Sequence, residues 1–330
     1  MLLEMRKDIK NVAEILRQKV VLKKDRTSRK YLYPSYWKGK MSKSSIYNTT
    51  EDMFFAARPN VGAGIGHQLA NWIAGYWYAK EFGLKFAHIP FADRKWEDFF
   101  GFYQNELLFA DLVNRGYRVV RLPIFDEHKE DEVQSIKKII SAYKGKKVVF
   151  LAEQDQFYQD QCGVIQDIQK KFYSCKARNN ETLIYDNKAF NIAVHVRRGD
   201  IVQLPGENKE GLTKRFQGNE YFVTALETAL DMLKDKENIH IYLFSQGKEE
   251  DYPEFRKFKN LHFCLDMGAK ESFLHMVHAD ALITSKSSFS YKPALLNTGI
   301  KFSPKNFWHG YPEDPNWIML DENGHQIIEE

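Results

Sequence analysis

The stretch Asn191-Ile192-Ala193-Val194-His195-Val196-Arg197-Arg198-Gly199-Asp200 constrains this chain more than any other. Ile192, Val194 and Val196 are β-branched and alternate with other residues, the two-residue period of a strand. The strand ends in two arginines, a glycine and an aspartate. In a parallel α/β sheet, such a strand delivers its last residues to the crevice where ligands bind. Paired guanidiniums there suit a phosphate or a carboxylate, which arginine grips through two parallel hydrogen bonds. A surface turn held by an Arg–Asp salt bridge is the competing reading of the same residues.

Size and charge narrow the classes. With 330 residues, 43% of them hydrophobic, the chain can bury the core of one large domain or of two. A net charge of +4 is too small to indicate a nucleic-acid binder, yet it is compatible with a site for an anionic small molecule. Cys162, Cys175 and Cys264 have neither metal-ligand spacing nor a disulfide framework, and they point to a reducing compartment. No run reaches the roughly 18 apolar residues of a membrane span, and the N-terminus lacks the apolar core of a signal peptide. A cytoplasmic location is therefore expected, and the sequons at Asn48 and Asn180 are read as chance. Leu2, Met5, Ile9, Val12, Leu16 and Val20 recur at helical steps over residues 1–30, followed by Lys23, Lys24, Arg26, Arg29 and Lys30. That helix could pack on its own body, dock on a partner or make peripheral contact with an anionic membrane.

Three segments are expected: an N-terminal helical and basic extension (1–50), a first α/β domain (51–180) and a second (181–330). Residues 31–50 read as an irregular connector. Met53 to Ala57 is a short strand, followed by the glycine loop Arg58-Pro59-Asn60-Val61-Gly62-Ala63-Gly64-Ile65-Gly66-His67-Gln68. Leu69 to Phe82 then reads as a helix stopped by Gly83. Strand, glycine loop and helix start can hold an anion or a polyol. The even spacing of Gly62, Gly64 and Gly66 is not the dinucleotide fingerprint. Strands follow at Lys85–Ile89, Tyr117–Leu122 and Lys147–Leu151. Helices are expected at Glu132–Tyr143 and Gln154–Ser174, with a partly helical aromatic segment at Trp96–Leu108. Asn179 to Asp186 is the expected seam. Beyond it, strands at Ile239–Ser245, Asn260–Cys264, Asp280–Thr284 and Ile300–Ser303 alternate with helices at Glu220–Leu233, Ala269–Ala279 and Tyr291–Asn297. This alternation predicts parallel sheets.

Two strand ends in the second half carry chemistry. One offers His195, Arg197, Arg198 and Asp200, followed by a polar loop from Gln203 to Arg215. The other offers Ser287, Ser288 and Ser290 just before a helix, where hydroxyls and free backbone N–H groups bind phosphate oxygens. An arginine opposite them would clamp a diphosphate. No Asp-x-Asp triplet stands at a strand end to hold magnesium, so no metal site is expected. Protein cations would stabilise the departing diphosphate instead.

The stretch Ala193–Asp200 resembles the His-x-Arg-Arg-x-Asp signature of the α1,2- and α1,6-fucosyltransferases. Gly62-Ala63-Gly64-Ile65-Gly66-His67-Gln68-Leu69 is similar to their Gly-x-Gly-Asn-Gln loop, with His67 where asparagine is usual. Ala279 to Ser290 is similar to their Ala-Asp…Ser-x-Ser-Ser-Phe-Ser stretch. The resemblance implies a GT-B-type glycosyltransferase, with two Rossmann-like α/β domains facing a central cleft. It implies inverting, metal-independent transfer of fucose from GDP-fucose to a glycan hydroxyl, soluble or lipid-linked, with no cofactor beyond the nucleotide-sugar co-substrate. Arg197 then takes the phosphate-binding role, with Arg198 supporting it. His195, Ser245, Ser287, Ser288 and Phe289 fall on the donor side. Gly62, Gly64, Gly66, His67 and Gln68 fall on the acceptor or cleft loop. Gln246-Gly247 replaces the family's aspartates after Ser245, so another nucleotide sugar, such as a UDP-sugar, stays open. Tyr291 and Lys292 stand where α1,2 enzymes carry paired tryptophans, so the linkage is not implied. A non-catalytic glycan- or partner-binding protein is the third reading.

An inverting transfer needs a carboxylate or histidine at the acceptor hydroxyl, or a highly dissociative transition state. Asp200 and Glu207 lie on the expected loop. For Asp200 the favoured reading is a salt bridge that fixes Arg198, and for His195 it is orientation of the loop rather than proton transfer.

Overall fold

The computed structural model describes residues 29–42, 47–60, 62–153, 156, 161–199 and 215–328. The helix expected over residues 1–30 thus lies almost wholly outside the described residues. Eleven strands fall into two sheets. They are β1 (Met53–Ala57), β2 (Lys85–His88), β3 (Leu107–Leu108), β4 (Arg118–Arg121), β5 (Val148–Ala152), β6 (Phe190–His195), β7 (Ile239–Ser245), β8 (Leu261–Leu265), β9 (Ala281–Ile283), β10 (Ile300–Pro304) and β11 (Trp317–Leu320). All pairings between named strands are parallel.

The first sheet has the order β3-β2-β1-β5-β4. Its central strands, Met-Phe-Phe-Ala-Ala and Val-Val-Phe-Leu-Ala, are buried at every position, as parallel strands covered on both faces must be. Within residues 31–50, expected as an irregular connector, the described part begins with helical structure. Pro34–Met41 is a helix, with Pro34 in its first turn, where a missing N–H costs nothing. It packs on helix Glu130–Ser141, where Gly39 approaches Ile139 so closely that a Cβ would sit 2.7 Å from Ile139 Cγ1. The segment is too short to show helical periodicity, and the contact is long-range, so the sequence did not announce it.

The second sheet has the order β11-β10-β9-β6-β7-β8. β11 was not expected; its Trp-Ile-Met-Leu run is brief and preceded by a proline-rich loop. On β6, Ile192, Val194 and Val196 share one face and pack with Phe222 and Leu226 of helix Asn219–Met232, and with Ile241, Leu243, Ile283 and Phe302. Side chains alternate across a strand, so Ala193 and His195 point to the opposite face.

The chain runs β6, β7, β8 outward, then returns to place β9 on the other side of β6. The strand order reverses between β6 and β9, and a crevice opens at the carboxyl ends of such a pair.

The compact units do not follow one cut of the chain. The first comprises the described parts of Met1–Arg58, Ala74–Ile89 and Asn105–Phe157; the second, those of Pro59–Ile73, Pro90–Gln104 and Tyr158–Glu330. The segments 59–73, 90–104 and 158–180, grouped by sequence with the first series, pack with the second sheet instead. Aromatic burial explains this for two of them: Phe99 and Phe100 lie 5.6 and 5.2 Å from Phe273, and Phe99 lies 5.7 Å from Phe172. Two helix bounds also move. Helix Ile65–Glu81 begins four residues before Leu69 and takes in Ile65, Gly66, His67 and Gln68. The helix expected at Gln154–Ser174 is Ile165–Ser174, preceded by a 3₁₀ turn at Gln161–Val164.

Candidate active site

The site is built within the second unit, at the reversal between β6 and β9. β9 leads through Thr284 and Ser285 to helix Ser288–Leu296, capped by Ser287. Ser287 is extended (φ −143°, ψ 130°), and its Oγ accepts the N–H of Phe289 at 3.2 Å, as an N-cap side chain does. The sequence placed the helix start at Tyr291; it lies three residues earlier because serine caps the turn. Ser290 is completely buried, and its Oγ accepts the Ser285 N–H at 3.1 Å, which closes the loop on itself.

Strand alternation sorts the two arginines. Arg197 shares the parity of His195, and its Nη1 donates to Ser287 Oγ at 3.3 Å. Arg198 turns the other way. Its Nη1 donates to the carbonyls of Arg197 (2.8 Å) and Gln217 (3.0 Å), its Nη2 donates to Asn219 Oδ1 (2.7 Å), and its plane lies 4.8 Å from the Phe216 ring. Arg198 therefore ties the turn to the start of helix Asn219–Met232, while Arg197 reaches the serine loop. Gln217, which the sequence did not single out, spans the two loops: its carbonyl accepts from Arg198 and its Oε1 accepts the Lys286 N–H at 2.8 Å. Only its place just before a helix could have drawn notice.

Gly199 has φ +71°, the left-handed region, and a Cβ there would overlap the Gln246 side chain. The dihedral favours glycine, whereas the overlap is with the tip of a side chain that can move. Gln246 thus lies against the arginine turn at the position where an aspartate is usual in the resembling family.

His195 is buried, and its Nδ1 lies 2.8 Å from Ser285 Oγ; its ring is 5.6 Å from Phe289. Burial, aided by Arg197 and then Arg198, pushes its pKa down to about 3. The imidazole is neutral at working pH and positions the serine loop by a hydrogen bond. The sign for stability follows from linkage. The unfolded chain binds a proton near pH 6.5 and the folded chain does not until about pH 3. Stability is therefore lost as pH falls below about 6.5, by about 1.4 kcal/mol per unit. Between pH 7 and pH 5, this group is expected to cost about 2 kcal/mol. Urea unfolding of the wild type and His195→Gln at both pH values checks this; equal acid sensitivity would refute it.

Ser245, expected on the donor side, has its hydroxyl engaged at the end of β7, 2.6 Å from the Val196 carbonyl and 2.5 Å from the Tyr252 hydroxyl. Ser288 and Phe289 are half-buried at the helix start. Asp200 and Glu207 lie outside the described residues.

The glycine loop belongs to this unit as well. Gly66 is buried against the start of the serine helix: a Cβ on it would fall 2.8 Å from the carbonyl carbon of Ser288 and 3.0 Å from Phe289 N. Gly62 and Gly64 meet no such crowding. Gln68 is buried, donating to the Ala63 carbonyl at 2.8 Å and accepting the Ala92 N–H at 2.9 Å, so it shapes the loop. His67 is exposed. Among the described residues, no group of three or more His, Cys, Asp or Glu could hold a metal ion, and no helix is long and apolar enough to cross a membrane.

Comparison with known proteins gives likenesses of fold. The NodZ α-1,6-fucosyltransferase co-crystallised with GDP is similar at a TM-score of 0.47 and 14% identity, over 77% of this chain and 96% of that one. POFUT1 in complex with GDP-fucose is similar at 0.38 and 10%, over 77% and 97%. The E. coli heptosyltransferase WaaC with ADP-2-deoxy-2-fluoro heptose is similar at 0.38 and 10%, over 82% and 94%. No family model matches the chain, and no curated protein sequence matches it. At such identities the chemistry of the site has to be read from this chain's own residues.

Proposed function

We propose that this chain is an inverting glycosyltransferase that moves fucose from GDP-fucose to a glycan hydroxyl without a metal ion. The observation that carries the reading is the 3.3 Å contact between Arg197 and Ser287, made at the reversal between β6 and β9. There a strand-end guanidinium, an N-cap hydroxyl and the first N–H groups of a helix converge, and such a set accommodates linked phosphates. In the transfer, the C–O bond from the sugar's anomeric carbon to the diphosphate breaks while the acceptor hydroxyl oxygen bonds to that carbon, and the hydroxyl's proton passes to a carboxylate, Asp200 or Glu207 being the candidates, or to solvent. Arg197 would then stabilise the negative charge that builds on the leaving diphosphate. The fucose and guanine assignments rest on the resemblance of Ala193–Asp200 to the fucosyltransferase signature.

Gln246 beside Gly199 favours testing a second donor class, because an amide and a carboxylate present different groups to a base edge. A thermal-shift panel of GDP, GDP-fucose, UDP and UDP-sugars separates the readings. GDP and GDP-fucose, at about 100 times Kd, are expected to raise the midpoint by several degrees. Stabilisation by the UDP series alone would replace the guanine donor. GDP-fucose turnover that EDTA abolishes would overturn the metal-free step.

A further inference from the structure

Lys292 is completely buried, and the site as described makes no use of it. It stands on helix Ser288–Leu296, one turn beyond Ser288 and about 6 Å further along the axis. Its Nζ donates to Gln161 Oε1 at 2.7 Å and lies 4.8 Å from the centre of the Tyr291 ring. Gln161, also completely buried, donates onward from Nε2 to the Ala70 carbonyl at 3.4 Å. Ala70 is one turn beyond Gly66, as Lys292 is one turn beyond Ser288. The Gly66–Ser288 contact and the Ala70–Gln161–Lys292 bridge are thus successive layers of one seam, directly beneath the serine loop.

An ammonium has three N–H donors and needs acceptors or a counter-charge when buried. Among the described residues, the Lys292 amine meets one amide oxygen and one ring face. Asp167 on helix Ile165–Ser174, and Glu271, His275 and His278 on helix Ala269–His278, stand on the elements packed beside this helix, yet they contribute nothing at the amine. Burial alone drives its pKa well below the usual lysine range. Burial therefore disfavours the charged form of this amine, which lies one helical turn below the groups that would seat a diphosphate. A multiply charged anion so close, across a dry interior, favours the protonated form.

Resting on the nucleotide-sugar reading above, we propose that Lys292 is a buried charge reserve for the bound nucleoside diphosphate. The amine takes up one proton from solvent as the diphosphate seats on Arg197, Ser287 and Ser288, and its ammonium then balances charge on the anion. The only bond made is N–H on Nζ.

Calorimetric titration of the full chain with GDP at pH 8, in phosphate and in Tris, tests this. The two buffers differ in ionisation enthalpy, so the difference in heat counts protons. The wild type is expected to take up close to one proton per GDP. Lys292→Met, of similar length and apolar, is expected to bind about tenfold more weakly with no uptake. A merely structural lysine would change affinity without changing the proton count. In the unmutated chain, GDP affinity is expected to fall about tenfold per unit from pH 8 to 9, which tests the idea even where the variant does not fold. Uptake that persists in Lys292→Met, or GDP binding with no uptake and no such pH dependence in the wild type, overturns the charge role and leaves the donor reading standing. Failure of the wild type to bind GDP at all overturns the guanine donor reading, and this inference with it.

Discussion

Arg197→Ala is expected to lower kcat/KM for transfer from GDP-fucose by about 10²–10³-fold, the size of effect seen when one preorganised donor to a developing anion is removed. The geometry gives the reason. Arg197 is the arginine that strand parity turns toward the serine loop, and Ser287 at 3.3 Å is its contact there. The loss should fall mainly on kcat, because charge on the diphosphate is greatest as the sugar leaves. Arg197→Lys should recover only part of it, since a compact ammonium cannot fork between two phosphate oxygens. The unfolding midpoint of Arg197→Ala should stay close to wild type, because the neighbouring turn is held through Arg198, Gln217 and Asn219. Steady-state kinetics with circular dichroism as the folding control decides the matter. An alanine variant that turns over at the wild-type rate would remove Arg197 from the reaction.

Arg198→Ala should behave differently. Its guanidinium makes three hydrogen bonds to protein groups, so its loss would loosen the turn itself. The double-arginine motif therefore divides into one residue that reaches the serine loop and one that ties the turn to the next helix. The motif alone does not say which is which. The alternation of Ile192, Val194 and Val196 does, once the core face of β6 is known.

Much of the fold was legible because parallel strands announce themselves as short β-branched runs separated by amphipathic helices. β1, β2 and β4 to β10 fall close to where the runs predict. What escaped has physical causes. Helix Pro34–Met41 is stabilised by packing on a distant helix, and β11 pairs with β10 through the backbone, so neither depends on a local signal. The grouping of 59–73, 90–104 and 158–180 with the second sheet is a matter of which aromatic cluster each segment completes. At the site, His195, Arg197 and Ser287 come together as their positions at the ends of β6 and β9 implied. Gln217 and Gln161 act by bridging elements far apart in sequence, and a lone glutamine carries no pattern. Lys292 was visible only as a departure from the expected tryptophans; its burial could not be read from its neighbours.

Glycine loops are common, and nothing in the spacing of these three glycines ranks one above the others; packing does. Gly66→Ala is expected to weaken GDP binding at least tenfold, whereas Gly64→Ala should leave it within twofold. In a helix, alanine is intrinsically favoured over glycine by about 1 kcal/mol, so propensity alone predicts that Gly66→Ala stabilises the chain. Against this stands a methyl group at 2.8 and 2.9 Å from the carbonyl carbon and oxygen of Ser288 and at 3.0 Å from Phe289 N. Those are backbone atoms, which cannot swing aside as a side-chain tip can, and overpacking of this kind costs about 1–3 kcal/mol. The steric term exceeds the propensity gain across most of that range, so a modest fall in stability is expected. The larger consequence is displacement. Relief of the clash must move the start of the serine helix, and a shift of a few tenths of an ångström takes the 3.3 Å Arg197–Ser287 contact beyond hydrogen-bonding distance. At Gly64 no atom lies within 4 Å of the added carbon, which makes that variant the control for any general effect on the loop. Urea unfolding and GDP titration of the two variants side by side give the answer: a Gly66→Ala protein that binds GDP as tightly as Gly64→Ala would mean that the glycine helix does not set the position of Ser287 and Ser288.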